Sequence, residues 1–297
     1  MSDQNRQDRI GVGLVVISAL SSSLLASFAK AATSGSHSLS GVLMWRFLIA
    51  AVVLCPWLLL NWPKKLRWGQ VLGCLAMGAS GYALSAICFF HSVDHLATGV
   101  ASVLLYTFPA MVVGLNWMAY RETPSTLQLG AVLLAFFGGY LIAGIDGQFS
   151  SESLTGVWFG VAAAFFYACY LVAGRHMLAD VSPVIASFFA MLGAFLSCGF
   201  AAILDSRPML PTSMSNWTAI FAISLVSTAL PVVTMLRGLQ LIGPVRASVV
   251  STIEPVCTIV IGLMLWGESL SLWQLLGAVA IVASVLVFTL KSKFTHS

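Results

Sequence analysis

The sequence predicts an all-α integral membrane protein of ten transmembrane helices, arranged as two inverted five-helix repeats. Three observations predict it. Hydrophobic residues make up 59% of the chain and charged residues only 8%, whereas soluble domains carry about 25% charged residues. Apolar runs of about 20 residues, the length a helix needs to cross a bilayer, fill nearly all of the 297 residues. One stretch also occurs twice: residues 101–122 read ASVLLYTFPAMVVGLNWMAYRE and residues 247–268 read ASVVSTIEPVCTIVIGLMLWGE. An offset of 146 carries Pro109 to Pro255, Ala101 to Ala247, Ser102 to Ser248, Glu122 to Glu268 and Gln128 to Gln274.

The predicted helices are roughly 10–32, 39–60, 69–90, 96–119, 126–145, 154–174, 183–204, 217–236, 245–266 and 271–290. The first follows Arg6 and Arg9 and precedes Ala29-Lys30-Ala31, a pattern that imitates a signal peptide. Its apolar run is too long for one, and Gly11 and Lys30 have counterparts 145 residues on, in Gly156 and Arg175. The second ends at a loop with Trp57, Trp62 and Trp68 around Lys64, Lys65 and Arg67, a set suited to the membrane interface. The fourth and ninth are the duplicated helices, each with a proline near its centre. Thr228 precedes Pro231 by three residues, so the eighth is expected to bend there. Gly69/Gly73 and Gly156/Gly160 have the GxxxG spacing of closely packed membrane helices. None of the runs shows the period-2 alternation of a barrel strand, and each is about twice a barrel strand's length.

Eleven of the 14 Lys and Arg residues fall on one set of helix ends: Arg6, Arg9, Lys64, Lys65, Arg67, Arg121, Arg175, Arg237, Arg246, Lys291 and Lys293. That side is expected to be cytoplasmic and to hold both termini, in a multi-pass protein of the cell (inner) membrane. This placement also explains the net charge of +4 without a nucleic-acid partner. The polar stretch 146–153 divides the chain into a first repeat at 1–145 and a second at 154–297. Five is odd, so the halves enter the bilayer from opposite sides.

Trp45-Arg46-Phe47, the proline-centred helices ending in Arg121-Glu122 and Gly267-Glu268, and Glu254-Pro255 together resemble the EamA family of the drug/metabolite transporter (DMT) superfamily. The resemblance covers both halves. It implies a central cavity lined by helices one to four and six to nine, with five and ten outside, and export of amino acids, other small metabolites or drugs. The first repeat has Phe108-Pro109 where the second has Glu254-Pro255, and Tyr120-Arg121-Glu122 stands in place of the usual Leu-Gly-Glu.

Glu254 is placed about 14 Å from the cytoplasmic boundary, near the midplane, where a carboxylate costs roughly 3 kcal/mol on insertion scales. It reads either as a proton-coupling and substrate-amine site or as a partner for carbonyls that Pro255 leaves unbonded. Arg46, about 10 Å deep with Glu254 about 16 Å below the same surface, reads as a snorkelling side chain or an ion-pair partner of Glu254, or as a receptor for a substrate carboxylate. Tyr82, Tyr106, Tyr167 and Tyr170 suit an aromatic or apolar cargo, or plain packing. Ser251 shares a helix face with Glu254, and Ser22, Ser227 and Thr228 also lie near mid-membrane. The expected substrate contacts are therefore Arg46, Tyr82, Tyr106, Tyr167, Ser251 and Glu254, with Glu254 in coupling and Pro109 and Pro255 as hinges.

The six cysteines lie inside apolar runs without metal or redox spacing, and His91, Asp94 and His95 occupy an outer loop without further ligands. No metal or cofactor is expected. With no nucleotide-binding loop or hydrolase motif, the expectation is not an enzyme. A duplicated unit around a broken membrane helix suggests a transporter; with what the resemblance implies, the expectation is a secondary active exporter of small organic metabolites, amino acids or related compounds, working by alternating access with protons as a candidate driving ion. The alternatives are a multidrug or lipid-linked solute efflux carrier and, more distantly, a receptor or interaction subunit that does not cycle.

Overall fold

The computed structural model describes residues 2–25, 38–60, 66–96, 98–121, 151–179, 181–205, 213–251 and 253–267, with shorter runs and single positions elsewhere. The predicted fifth and tenth helices fall largely outside these residues, as do Trp62, Lys64, Lys65, Glu122, Glu268 and positions 146–150. Every described element is helical: α1 Ser2–Ser22, α2 Leu39–Leu60, α3 Trp68–Ala76, α4 Ala83–His95, α5 Thr98–Leu105, α6 Phe108–Tyr120, α7 Ser151–Met177, α8 Pro183–Leu204, α9 Met214–Ser224, α10 Leu230–Val250 and α11 Ile253–Trp266. A π-turn over Met77–Tyr82 joins α3 to α4, and another over Leu225–Ala229 joins α9 to α10. Among the described residues five helical stretches are long and apolar enough to cross a membrane: Leu39–Leu60, Trp68–His95, Leu154–Met177, Pro183–Leu204 and Met214–Ser248.

Prolines explain where the duplicated helices break. Pro109 falls in the first turn of α6 and Pro255 in the first turn of α11, where a missing N–H costs nothing. The chain therefore interrupts just upstream of each proline. At the first interruption Thr107 N–H bonds to the Leu104 carbonyl at 3.0 Å, and at the second Glu254 N–H bonds to the Ser251 carbonyl at 3.0 Å. Hydroxyls join the same turns: Thr107 Oγ1 also donates to Leu104 O at 2.8 Å, and Ser251 Oγ donates to Ser248 O at 2.8 Å. Within α10, Gly243 has φ 78° and ends one helical stretch, and Pro244 starts the next.

Helix packing follows small residues. On α8 the buried side is mostly small, with Ala186, Ser187, Ala190, Gly193, Ala194 and Cys198 beside Ile185 and Met191, while Phe200, Ile203 and Leu204 are mostly exposed, as suits a surface toward lipid. A Cβ on Gly78 would lie 1.9 Å from the Ala190 carbonyl oxygen, and one on Gly193 would lie 2.1 Å from that of Leu75. Backbone therefore meets backbone where the first π-turn crosses α8. Gly156 and Gly160, one of the GxxxG pairs, likewise press α7 against Leu96 and Leu104. Packing partners include α1 with α10, α2 with α8 and α9, α3 with α8, α4 and α6 with α7, and α5 with α11.

Hydrogen bonds link the same neighbours. Ser18 Oγ on α1 donates to the Pro231 carbonyl on α10 at 2.9 Å, and Ser85 Oγ on α4 donates to the Ala163 carbonyl on α7 at 2.9 Å. Ala163 lies 145 residues after Ser18, and Pro231 lies 146 after Ser85. One pair of sequence-equivalent positions is thus bonded twice, with the donor on opposite members. Outside the spans, Ser38 Oγ donates to Asp205 Oδ2 at 2.7 Å, and Arg207 with Ser38 holds the Asp205 carboxyl down to about 2.

Candidate functional site

The two π-turns set the site. The segment Met77–Tyr82 reads MGASGY, rich in the small residues that let a helix widen. Pro231, just past Leu225–Ala229, cannot donate, and Thr228 Oγ1 caps the Ile223 carbonyl at 2.9 Å, five residues back. Tyr82 and Thr228 stand 146 residues apart, the offset of the duplicated helices. One side chain touches both. Arg46 on α2 donates from Nε to Thr228 Oγ1 at 2.7 Å and from Nη2 to the Tyr82 hydroxyl at 3.5 Å.

Arg46 is only 1% exposed. The snorkel considered from the sequence is therefore absent, as is an ion pair with Glu254 within the described residues. Its guanidinium instead lies 5.0 Å from the Phe47 ring centre and 5.8 Å from that of Phe90, distances at which aromatic faces attract a cation. Nη1 has no hydrogen-bond partner.

A cavity of about 50 Å³ lies beside this group. Arg46, Tyr82, Tyr106, Tyr167 and Glu254 all line it. On its Glu254 side the carboxyl meets the Tyr106 hydroxyl. Aromatic rings make much of the remaining wall: Phe108 packs edge-on to Tyr167 at 4.8 Å, Tyr106 lies 5.3 Å from Phe108, and Tyr82 lies 6.4 Å from Tyr167. Ser22, Ser85 and Ser227 supply further hydroxyls.

Two sequence candidates sit elsewhere. Ser251 is buried, spends its hydroxyl on the Ser248 carbonyl, and is not among the lining residues. Tyr170 packs behind the wall, 5.1 Å from Tyr82 and stacked on Tyr167 at 5.9 Å. Phe108, Phe89 and Ser85 line the cavity without having been singled out in the sequence. Phe108 had a visible signal, since it occupies the position before proline that Glu254 fills in the second copy. At the outer end, His91 stacks on Phe159 at 5.0 Å and its Nδ1 lies 3.8 Å from Asp94 Oδ2.

A larger cavity, about 510 Å³, lies among the ends of α6, α7 and α10 and is bordered by Asn116, Arg175, Gln240, Gly243 and Arg246. Arg175 Nη1 donates to Asn116 Oδ1 at 2.9 Å, and Arg246 pairs with Asp8 at 3.1 Å.

The sequence profile of the EamA-like transporter family matches residues 9–144 and again 154–290. The chain belongs to this family. It is a membrane transporter of EamA type, and the family's work is the passage of small molecules rather than catalysis. Similar proteins include the "Uncharacterized transporter YcbK" of Bacillus subtilis (strain 168), 26% identical over 247 residues that cover 80% of this chain and 78% of that one. The "Uncharacterized inner membrane transporter YicL" of Salmonella typhimurium is 27% identical over 227 residues, 75% of each chain. A solved crystal structure with a TM-score of 0.71 and 18% identity covers 97% of this EamA-like chain and 99% of that chain, a likeness of fold.

Proposed function

We propose that the protein is a secondary active exporter of small organic metabolites, amino acids or related compounds, in the cell membrane with both termini in the cytoplasm. It works by alternating access between two inverted five-helix repeats, 1–145 and 154–297, that share the cavity between them. The observation that carries the reading is convergence. The cavity that Arg46 and Glu254 line together is also where the two π-turns and the two proline breaks meet, and irregular backbone at membrane depth is tolerated only where it is buried in protein or lines a cavity. The inverted repeat draws support from the packing, because exchanging the halves turns the contact of α1 with α10 into that of α4 with α7. It also turns the Ser18–Pro231 bond into the Ser85–Ala163 bond.

A volume of about 50 Å³ holds a few water molecules, far less than the roughly 300 Å³ of a ligand pocket. Loading a solute thus needs the walls to part, with Pro109 and Pro255 as hinges. In this scheme Glu254 serves coupling and takes a substrate amine, Tyr82, Tyr106 and Tyr167 hold the apolar body, and Ser251 supports the helix break beside Glu254. The 510 Å³ cavity, bordered by Arg175 and Arg246, is the vestibule on the basic, cytoplasmic side.

Counterflow in proteoliposomes tests the reading. Labelled amino acid should accumulate transiently against unlabelled solute inside. Saturable binding without exchange fits a non-cycling receptor instead, and exchange confined to hydrophobic cations fits a drug carrier.

A further inference from the structure

We infer that Arg46 is the carboxylate receptor of the cavity and that Thr228 is the positioning residue that aims it; the inference rests on the cavity being the transport site. The guanidinium has three nitrogens with different fates. Nε is committed to Thr228 Oγ1 at 2.7 Å. Nη2 reaches the Tyr82 hydroxyl only at 3.5 Å, the outer edge of hydrogen bonding, and Nη1 has no partner. No carboxylate among the described residues pairs with this fully buried cation, and a buried charge without a counter-charge is rarely left so.

The end of the guanidinium with hydrogen bonds to spare is the one carrying Nη1 and Nη2, two parallel donors that match the two oxygens of a carboxylate. A ligand carboxylate there displaces the weak Tyr82 contact and leaves the Thr228 bond intact. Charge selects the class. Arg46 is the one cation lining the cavity among the described residues, which suits a single negative charge rather than a phosphate. The aromatic wall of Tyr106, Phe108 and Tyr167 suits an apolar body attached to it. The Thr228 hydroxyl holds Nε because it stands on the π-turn and already donates to Ile223 O, leaving its lone pairs to accept.

The test compares 3-phenylpropionate with 3-phenylpropionamide, which share shape and lack an amine. Calorimetry on the purified wild-type protein should give at least about a tenfold preference for the acid. Thr228→Val should bring the preference close to one, and Thr228→Ser should restore it. Equal binding of acid and amide by the wild type overturns the receptor. Equal weakening of both ligands in Thr228→Val, with the preference kept, overturns the positioning role. The wild-type comparison stands even where Thr228→Val does not fold. Counterflow separates the two readings: acid-selective binding without exchange supports the receptor and defeats transport, whereas indiscriminate exchange of acid and amide defeats the receptor and leaves transport standing.

Discussion

Replacing Gly78 by alanine should separate two helices that touch through their backbones. The new methyl carbon would sit 1.9 Å from the Ala190 carbonyl oxygen, while an ordinary carbon–oxygen contact is about 3.4 Å. No flexible side chain stands between them to give way, so α8 and the π-turn must move apart by more than about 1 Å. Overpacking of this kind costs about 1–3 kcal/mol, and backbone against backbone belongs at the upper end. Alanine returns up to about 1 kcal/mol through helix propensity, which leaves a net loss of about 2 kcal/mol. Gly114→Ala is the control, because among the described residues no atom beyond its own stretch of helix lies within 4 Å of the added carbon, and it should stabilise by up to about 1 kcal/mol. Reversible unfolding in mixed detergent micelles, followed by circular dichroism, measures both. Gly193→Ala should resemble Gly78→Ala, and the double variant should lose less than the sum, since helices already parted accommodate the second methyl. A Gly78→Ala protein as stable as Gly114→Ala would refute the backbone contact and the register of α8 against the π-turn.

Ser18→Ala and Ser85→Ala should each cost about 0.5–1.5 kcal/mol in the same assay, and by similar amounts, since each removes one interhelical bond at an equivalent position; clearly unequal losses would count against the shared geometry. Arg121 has φ 59°, the left-handed conformation that Gly267 also adopts 146 residues later. Arg121→Gly should therefore stabilise by up to about 1 kcal/mol in that assay, and a loss would show that the arginine side chain matters more than its backbone. Glu254→Gln should leave folded protein in the membrane and remove the pH dependence of exchange in proteoliposomes, whereas persisting pH dependence would exclude Glu254 from coupling.

Much of the scaffold was legible because lipid imposes it. The second and seventh helices run over 39–60 and 183–204 as the apolar runs require, and Pro109 and Pro255 marked the breaks in the fourth and ninth. The bend expected near Thr228 is the π-turn Leu225–Ala229. Its counterpart at Met77–Tyr82 left no comparable mark, since small residues in a membrane helix usually signal packing. Partners were harder than positions. The sequence set Arg46 and Glu254 against each other by depth, yet depth along the bilayer does not fix direction around a helix axis, and Arg46 turns to Thr228 while Glu254 meets Tyr106. Ser251 shows the same limit: its spacing from Glu254 is right, but a helix break next to it claims its hydroxyl for the backbone.

A π-turn takes in one residue more than an α-turn for nearly the same rise, so it shifts the angular phase of everything after it by roughly 100°. The face that α3 presents to α8 and the face that α4 presents to α7 are consequently set independently, though the chain runs straight through both. Deleting a single residue from Leu225–Ala229 lets the wide turn close to an α-turn, which keeps α9 and α10 in phase but changes the bulge on which Thr228 meets Arg46; the same deletion in the regular part of α10 turns every later side chain by about 100°. The cavity thus depends on a count as much as on composition: one residue can be lost at the π-turn without turning a helix face away from its neighbour, and nowhere else along the same helix.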